Sequence, residues 1–226
     1  MSVLEEPKID CHNHAFDPAR FPYQVATPYR PAGQELGTAD QFRHVMDAYG
    51  VRYALVVGPN SGYGPDNRCL LDAIARGEGH LKGVAIVPHN IGTAELASLK
   101  PKGIVGVAFN LTFHGVDYYL DTRDLLARLA DLDLLLQIQV EGDQVLALAD
   151  LIDRSKVRLV IDHCGRPAPE AGLKQPGFAA LLALGRARRA SVKLSGLSKF
   201  SRLPHPHPDA WPYVRALVDA FTLDAC

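Results

Sequence analysis

Seven short apolar runs alternate with amphipathic segments along the whole chain, and this rhythm limits the fold more than any other feature. The candidate strands are 8–14, 53–59, 82–87, 104–111, 134–140, 157–163 and 191–195. The candidate helices are 39–49, 67–76, 93–98, 122–132, 143–153, 177–187 and 209–221. A strand–helix series of this kind builds parallel βαβ units. Local signals agree with it. Thr38-Ala39-Asp40-Gln41 has the form of a capping box ahead of the first long helix, and Gly50 stands where a C-cap belongs. Leu125, Leu126, Leu129 and Leu132 recur at the spacing of a buried helical stripe.

Side-chain parity separates an open sheet from a barrel. In 134–141, Leu134, Leu136, Ile138 and Val140 share one face, while Gln137, Gln139 and Glu141 share the other. In 105–112, Val105, Val107, Phe109 and Leu111 oppose Gly106, Ala108, Asn110 and Thr112. Strands of an open sheet covered by helices on both faces read as apolar throughout. One apolar face and one small or polar face fit a barrel whose polar residues look into the lumen near its mouth. The polar residues also gather at the C-terminal ends of the strands, where such barrels build their sites. The expected architecture is therefore an α/β (β/α)₈ barrel.

The remaining composition narrows the class. No Ser/Gly-rich linker or charge block divides the 226 residues, so a single domain over 1–226 is expected. A net charge of −1 gives no reason to expect nucleic acid or a membrane surface as a partner. The acidic segment Met1-Ser2-Val3-Leu4-Glu5-Glu6-Pro7 lacks the apolar core of a signal peptide. No apolar run approaches the roughly 20 residues that span a bilayer. Cys11, Cys69, Cys164 and Cys226 show no paired spacing and read as free thiols in a reducing, cytoplasmic compartment. Cys11 and Cys164, each next to a site histidine, are expected to be packing residues.

His12 and His14 lie two apart on the first strand, so both rings face one way. That spacing suits bidentate metal binding or a shared polarised centre. His163 closes another apolar strand ahead of Gly165-Arg166-Pro167 and is expected to join them. Lys193 and Ser195 share a face on the seventh strand, and Arg202 follows in the loop. A lysine inside a barrel is costly unless a ligand or a carboxylate pairs with it, so these cations are candidates for holding an anionic substrate or polarising its carbonyl. Asn60, Asn110 and Gln139 end strands two, four and five with amides that can orient a polar substrate. The long segment 15–37, with Phe16, Phe21, Tyr23 and Tyr29, reads as a lid or wall over the mouth, and His205-Pro206-His207-Pro208 as a solvated turn.

With these residues in place, the chain resembles amidohydrolase family 2, and most closely its branch of lactonases and predicted TIM-barrel metal-dependent hydrolases related to 2-pyrone-4,6-dicarboxylate lactonase. The matching pieces are Ile9-Asp10-Cys11-His12-Asn13-His14, Gly64-Pro65-Asp66-Asn67, Val160-Ile161-Asp162-His163-Cys164-Gly165-Arg166-Pro167 and Val192-Lys193-Leu194-Ser195-Gly196. The resemblance implies a hydrolase whose His12, His14 and His163 sit at strand ends. In metal-using members such histidines, with an aspartate on strand eight, hold one divalent ion, often zinc. In the pyrone lactonase branch they polarise the lactone carbonyl without metal, and the strand-eight aspartate is the base. The implied reaction is water attack on the carbonyl of a lactone or related cyclic ester of a small organic acid. A zinc-dependent decarboxylase and a non-catalytic small-acid-binding barrel are the alternatives; a homo-oligomer is a further expectation.

Two departures from the family pattern stand out. Members usually continue past the seventh helix with a Trp-Gly-x-Asp-Trp-Pro-like strand, whereas this sequence ends at Leu223-Asp224-Ala225-Cys226. Complete barrels typically need about 250 residues. The expectation is thus a barrel truncated at its C-terminus, lacking strand eight, with open edges on strands one and seven and impaired hydrolysis. The dicarboxylate lactonases also carry several arginines around the mouth, where this chain has Asn110, Thr112 and His114. A monocarboxylated or sugar-like lactone is the expected alternative substrate.

Overall fold

The computed structural model describes residues 6–226; residues 1–5 of the acidic N-terminal segment lie outside the described residues. The chain divides into two compact units, Met1–Ala108 and Phe109–Cys226.

In the first unit, β1 (Lys8–Asn13), α1 (Ala39–Tyr49), β2 (Val51–Val57), α2 (Arg68–Arg76), β3 (Leu81–Ala85), α3 (Thr93–Leu99) and the first residues of β4 (Ile104–Asn110) follow one another, the last two residues of β4 belonging to the second unit. The four strands pair in parallel in the order of the sequence. The expected capping box is present: the backbone N–H of Gln41 donates to Thr38 Oγ1 at 3.2 Å, and that of Thr38 donates to Gln41 Oε1 at 2.9 Å. Gly50 ends α1 in the left-handed conformation at φ 67°, a region that suits glycine. Val56, Ala73, Val84, Leu96 and Val107 are buried and carry the core.

In the second unit, α4 (Leu111–His114), α5 (Arg123–Asp131), β5 (Leu135–Gln139), α6 (Gln144–Ala147), α7 (Ala149–Arg154), β6 (Leu159–Ile161), α8 (Pro176–Arg186), β7 (Ala190–Val192) and α9 (Trp211–Phe221) alternate likewise. Strands β5, β6 and β7 are parallel neighbours. Of the expected stripe, Leu125, Leu126 and Leu129 are buried, while Leu132, which caps the helix, is half-buried. Leu134, Leu136, Ile138 and Val140 are all buried, as their shared face requires.

The fold class is thus α/β, with seven strands among the described residues, all at the expected places. Three details differ. The single helix expected over 143–153 is two short ones, separated at Leu148 (φ −93°, ψ 0°). Strand six ends at Ile161 and strand seven at Val192, so His163 and Ser195 lie in the turns that follow rather than on strands. Cys11 is exposed, not packed, because the β1 face bearing Ile9 and Cys11 is open to solvent; Cys164 is buried as expected. No described helix is long and apolar enough to cross a membrane.

Candidate active site

In the first unit the site residues gather at the C-terminal end of β1. The Nε2 atoms of His12 and His14 stand 3.4 Å apart. His14 Nδ1 is 2.7 Å from the Val57 carbonyl at the end of β2. A carbonyl oxygen only accepts, so Nδ1 carries the proton and the neutral ring offers Nε2 as a lone pair. The Asp10 carboxylate, one step deeper with the same parity, accepts the backbone N–H of His12 at 2.9 Å and braces the strand below the rings. Asn60 sits half-buried in the turn after β2.

Part of the long segment 15–37 is held down by aromatic packing, while most of it is exposed. Tyr63 is buried against Phe16 and Tyr23, with ring centroids 6.0 and 5.1 Å away, and its hydroxyl accepts the Asp17 N–H at 3.0 Å. Gly62 lets the wall approach this closely, since a Cβ there would meet the Tyr23 ring at 2.6 Å. On the outside, Asp72 accepts a two-pronged contact from Arg20 at 2.7 and 2.9 Å and one from Arg76, which reaches on to Asp40 at 3.0 Å. Hydrogen bonding from Arg20 holds the Asp72 carboxyl below the usual carboxylate range. A carboxyl whose folded-state pKa is lowered in this way stabilises the fold above its unfolded pKa, and the contribution is lost as pH falls through the folded one. Pepsin cleavage within 15–37 is therefore expected to rise as pH drops below about 4. Asp72→Asn lacks the charge at every pH, so it is expected to raise cleavage by a neutral protease at pH 7. An Asp72→Asn protein as resistant as the parent would contradict the clamp.

In the second unit, β4 ends in Asn110, whose side-chain oxygen accepts from the Phe113 N–H at 3.1 Å and from Thr112 Oγ1 at 2.7 Å. Gln139, at the end of β5, donates to the same Thr112 hydroxyl at 2.7 Å. Asn110 and Gln139 thus belong to one neutral network.

The turn after β6 is unusual. His163, Cys164 and Arg166 all have positive φ (49°, 57° and 44°), with Gly165 at 70° between them. Each non-glycine residue there costs roughly 1–2 kcal/mol, and such strain collects where geometry serves function. Backbone hydrogen bonds hold the turn: Cys164 N–H to the Lys193 carbonyl at 2.9 Å and Gly165 N–H to the Asp162 carbonyl at 2.9 Å. His163 is buried, and its Nδ1 is 2.9 Å from Ser195 Oγ. Gly196, at φ 65°, lies so close that a Cβ would meet the His163 ring at 2.8 Å. Burial pushes the Cys164 thiol up to about 12 and makes it a poor nucleophile.

Lys193 does not reach outward. It is buried, donates to Gln137 Oε1 at 2.6 Å and lies 3.5 Å from Asp162 Oδ1. Arg202 is exposed and pairs with Glu170 at 3.0 Å. A further cation, Arg166, is one that the sequence alone does not single out. Its left-handed backbone holds the side chain at 17% exposure, 3.6 Å from Glu141. Its Nε is buried without a hydrogen-bond partner. Arg166, Lys199, Arg202, Glu141 and Glu170 line a cleft of about 380 Å³. The sequence signal for Arg166 is its place in the turn that follows His163.

The model of the family described as amidohydrolase matches residues 9–226. The chain belongs to the amidohydrolase family. This amidohydrolase is 31% identical over 222 residues to a 4-sulfomuconolactone hydrolase of Hydrogenophaga intermedia, covering 96% of this chain and 72% of that protein. It is 33% identical over 214 residues to a 4-sulfomuconolactone hydrolase of Rhizobium radiobacter, covering 92% and 70%. Among solved structures, one described as a probable 2-pyrone-4,6-dicarboxylic acid hydrolase of Acinetobacter baumannii, with citric acid bound, superposes with a TM-score of 0.85 at 25% identity, over 95% of this chain and 80% of that one. The chain is therefore an enzyme of the hydrolase class, as expected from its sequence.

Proposed function

We propose that this amidohydrolase is a single catalytic domain of (β/α)₈-barrel type, its seven described strands being the first seven of that barrel, that opens a lactone of a small, anionic organic acid by adding water to its carbonyl, in a cytoplasmic setting. The observation that carries the chemistry is the pair of imidazole nitrogens 3.4 Å apart at the end of β1, one of them oriented by Val57. The names of the two lactone-hydrolysing relatives support the substrate class. Four free cysteines support the compartment.

The proposal gives His12, His14 and His163 one reaction to serve. His14 Nε2, the bare nitrogen of the neutral tautomer that Val57 selects, is the basic atom of the pair. His12 then presents an N–H, able to polarise a carbonyl oxygen. His163, steadied by Ser195, completes the histidine set. Asn60, Asn110 and Gln139 orient polar groups of the substrate, and Arg202 draws its carboxylate toward the cleft. Arg166 supplies a buried guanidinium edge for that same anionic group. Lys193 contributes to the field behind His163 rather than touching substrate.

The histidine pair also fits a divalent ion. Two imidazoles on one tetrahedral zinc, with bonds of about 2.0–2.1 Å, span about 3.3 Å, close to the separation of 3.4 Å here. His12 and His14 would hold such an ion, zinc by preference, with His163 as the further ligand that the family resemblance implies, and it would supply Lewis acidity and a more acidic water. A metal-free route uses the same three rings as hydrogen-bonding groups.

The test is a panel of lactones with and without a carboxylate or sulfonate, followed by loss of ring absorbance. Turnover of the anionic members is expected, and Arg166→Gln is expected to raise their KM by about 10–100-fold, the cost of losing a charged hydrogen bond. Equal KM values for parent and variant would remove Arg166 from the site. Failure to open any member would remove the lactone reading.

A further inference from the structure

Gln137 lies at the heart of the second unit and has no part in the chemistry described above. It is 1% exposed on β5, on the face opposite Leu136 and Ile138. Its amide is used from both ends. Oε1 accepts from Lys193 Nζ at 2.6 Å, and Nε2 donates to Asp162 Oδ2 at 2.9 Å. An amide suits this place because it accepts from an ammonium with one atom and donates to a carboxylate with another. Hydrophobic residues of like volume would hold a core as well as such a buried set, because desolvating ions costs several kcal/mol each. Stability alone therefore does not account for it.

Its neighbours point to what it serves. Asp162 Oδ2, the oxygen that Gln137 binds, is also the one 3.8 Å from His163 Nε2. The Lys193 carbonyl, from the residue that Gln137 binds on its other side, takes the Cys164 N–H of the strained turn. Gln137 thus reaches both supports of His163: the carboxylate beside its ring and the strand end that anchors its turn.

We propose that Gln137 is a positioning residue for His163, acting through the shared oxygen Asp162 Oδ2 and through Lys193. The inference rests on the reading of His163 as part of the hydrolytic set, but its first measurement does not depend on turnover. Gln137→Met removes both hydrogen bonds at similar volume. Gln137→Glu keeps the acceptor toward Lys193 and sets a second carboxylate against Asp162, so it serves if the methionine variant does not fold.

Long-range ¹H–¹⁵N correlation of the histidine rings, with His163→Gln to assign the signal, is expected to show the His163 resonances moved or split in either Gln137 variant. The other rings keep their positions. On a lactone that the parent protein opens, kcat is expected to fall by about 10–100-fold, as for other partners that orient a site group, with KM within about threefold. An unchanged His163 ring in a folded variant would overturn the positioning role, as would a loss confined to KM. A parent protein that opens no lactone would overturn the hydrolase reading alone, and the ring spectrum would still decide the role of Gln137.

Discussion

His14→Ala is expected to lower lactone turnover by about 10²–10⁴-fold, the usual worth of a positioned acid–base group. The size follows from what the ring does in the structure. Its Nδ1 is committed to the Val57 carbonyl, so Nε2 is a fixed lone pair 3.4 Å from His12 Nε2. Alanine removes that lone pair and its contact with His12. The loss holds on either chemical route, because the same nitrogen serves as base or as ligand. His14 lies just beyond β1 and is exposed, so the variant should melt within a few degrees of the parent. A folded His14→Ala protein within about tenfold of the parent rate would remove the pair from the reaction. The comparison with His14→Gln adds detail, since an amide can still accept from His12 but cannot take a proton.

The largest expected effect on stability comes from Lys193→Met. Lys193 and Asp162 are both buried, 3.5 Å apart, and Gln137 bonds to each of them. Taking away the ammonium leaves a carboxylate in the interior without its counter-charge, which costs about 3–5 kcal/mol. Urea unfolding is expected to show that loss as a lower midpoint with little change in slope. Asp162→Asn added to Lys193→Met should recover most of it, because removing both charges leaves a neutral polar layer rather than a buried carboxylate that has lost the Lys193 ammonium. Additive losses in the double variant would mean that the two groups are not a pair. A single variant as stable as the parent would mean that Lys193 faces solvent or ligand, as its place in the sequence suggests.

That contrast shows where sequence reasoning reaches its limit. The strands and most helices are legible because hydrophobic period and caps are local properties: Thr38, Gln41 and Gly50 mark α1 from its own residues. The His12–His14 pair is legible because strand parity is fixed by a period of two. The role of Lys193 is not, since its partners lie on other elements, Gln137 as far as 56 positions away. The turn that carries His163 is also hidden. Left-handed backbone at His163, Cys164 and Arg166 runs against residue preference and is enforced by hydrogen bonds from the turn and from beyond β7. For the same reason Arg166 escapes notice: its buried Nε depends on a backbone shape that nothing in Gly165-Arg166-Pro167 announces. The break at Leu148 is a smaller case, where the leucine-rich run 145–152 reads as one helix by period alone.

Addition of water to a lactone carbonyl is the reaction assigned to this amidohydrolase. It is tested most directly by incubating the protein with 4-sulfomuconolactone in ¹⁸O-labelled water and weighing the product by mass spectrometry. The expected product is a ring-opened acid carrying one ¹⁸O in its new carboxylate, formed by the parent protein and suppressed in His14→Ala. Unchanged lactone, or a product that has lost carbon dioxide, would contradict it.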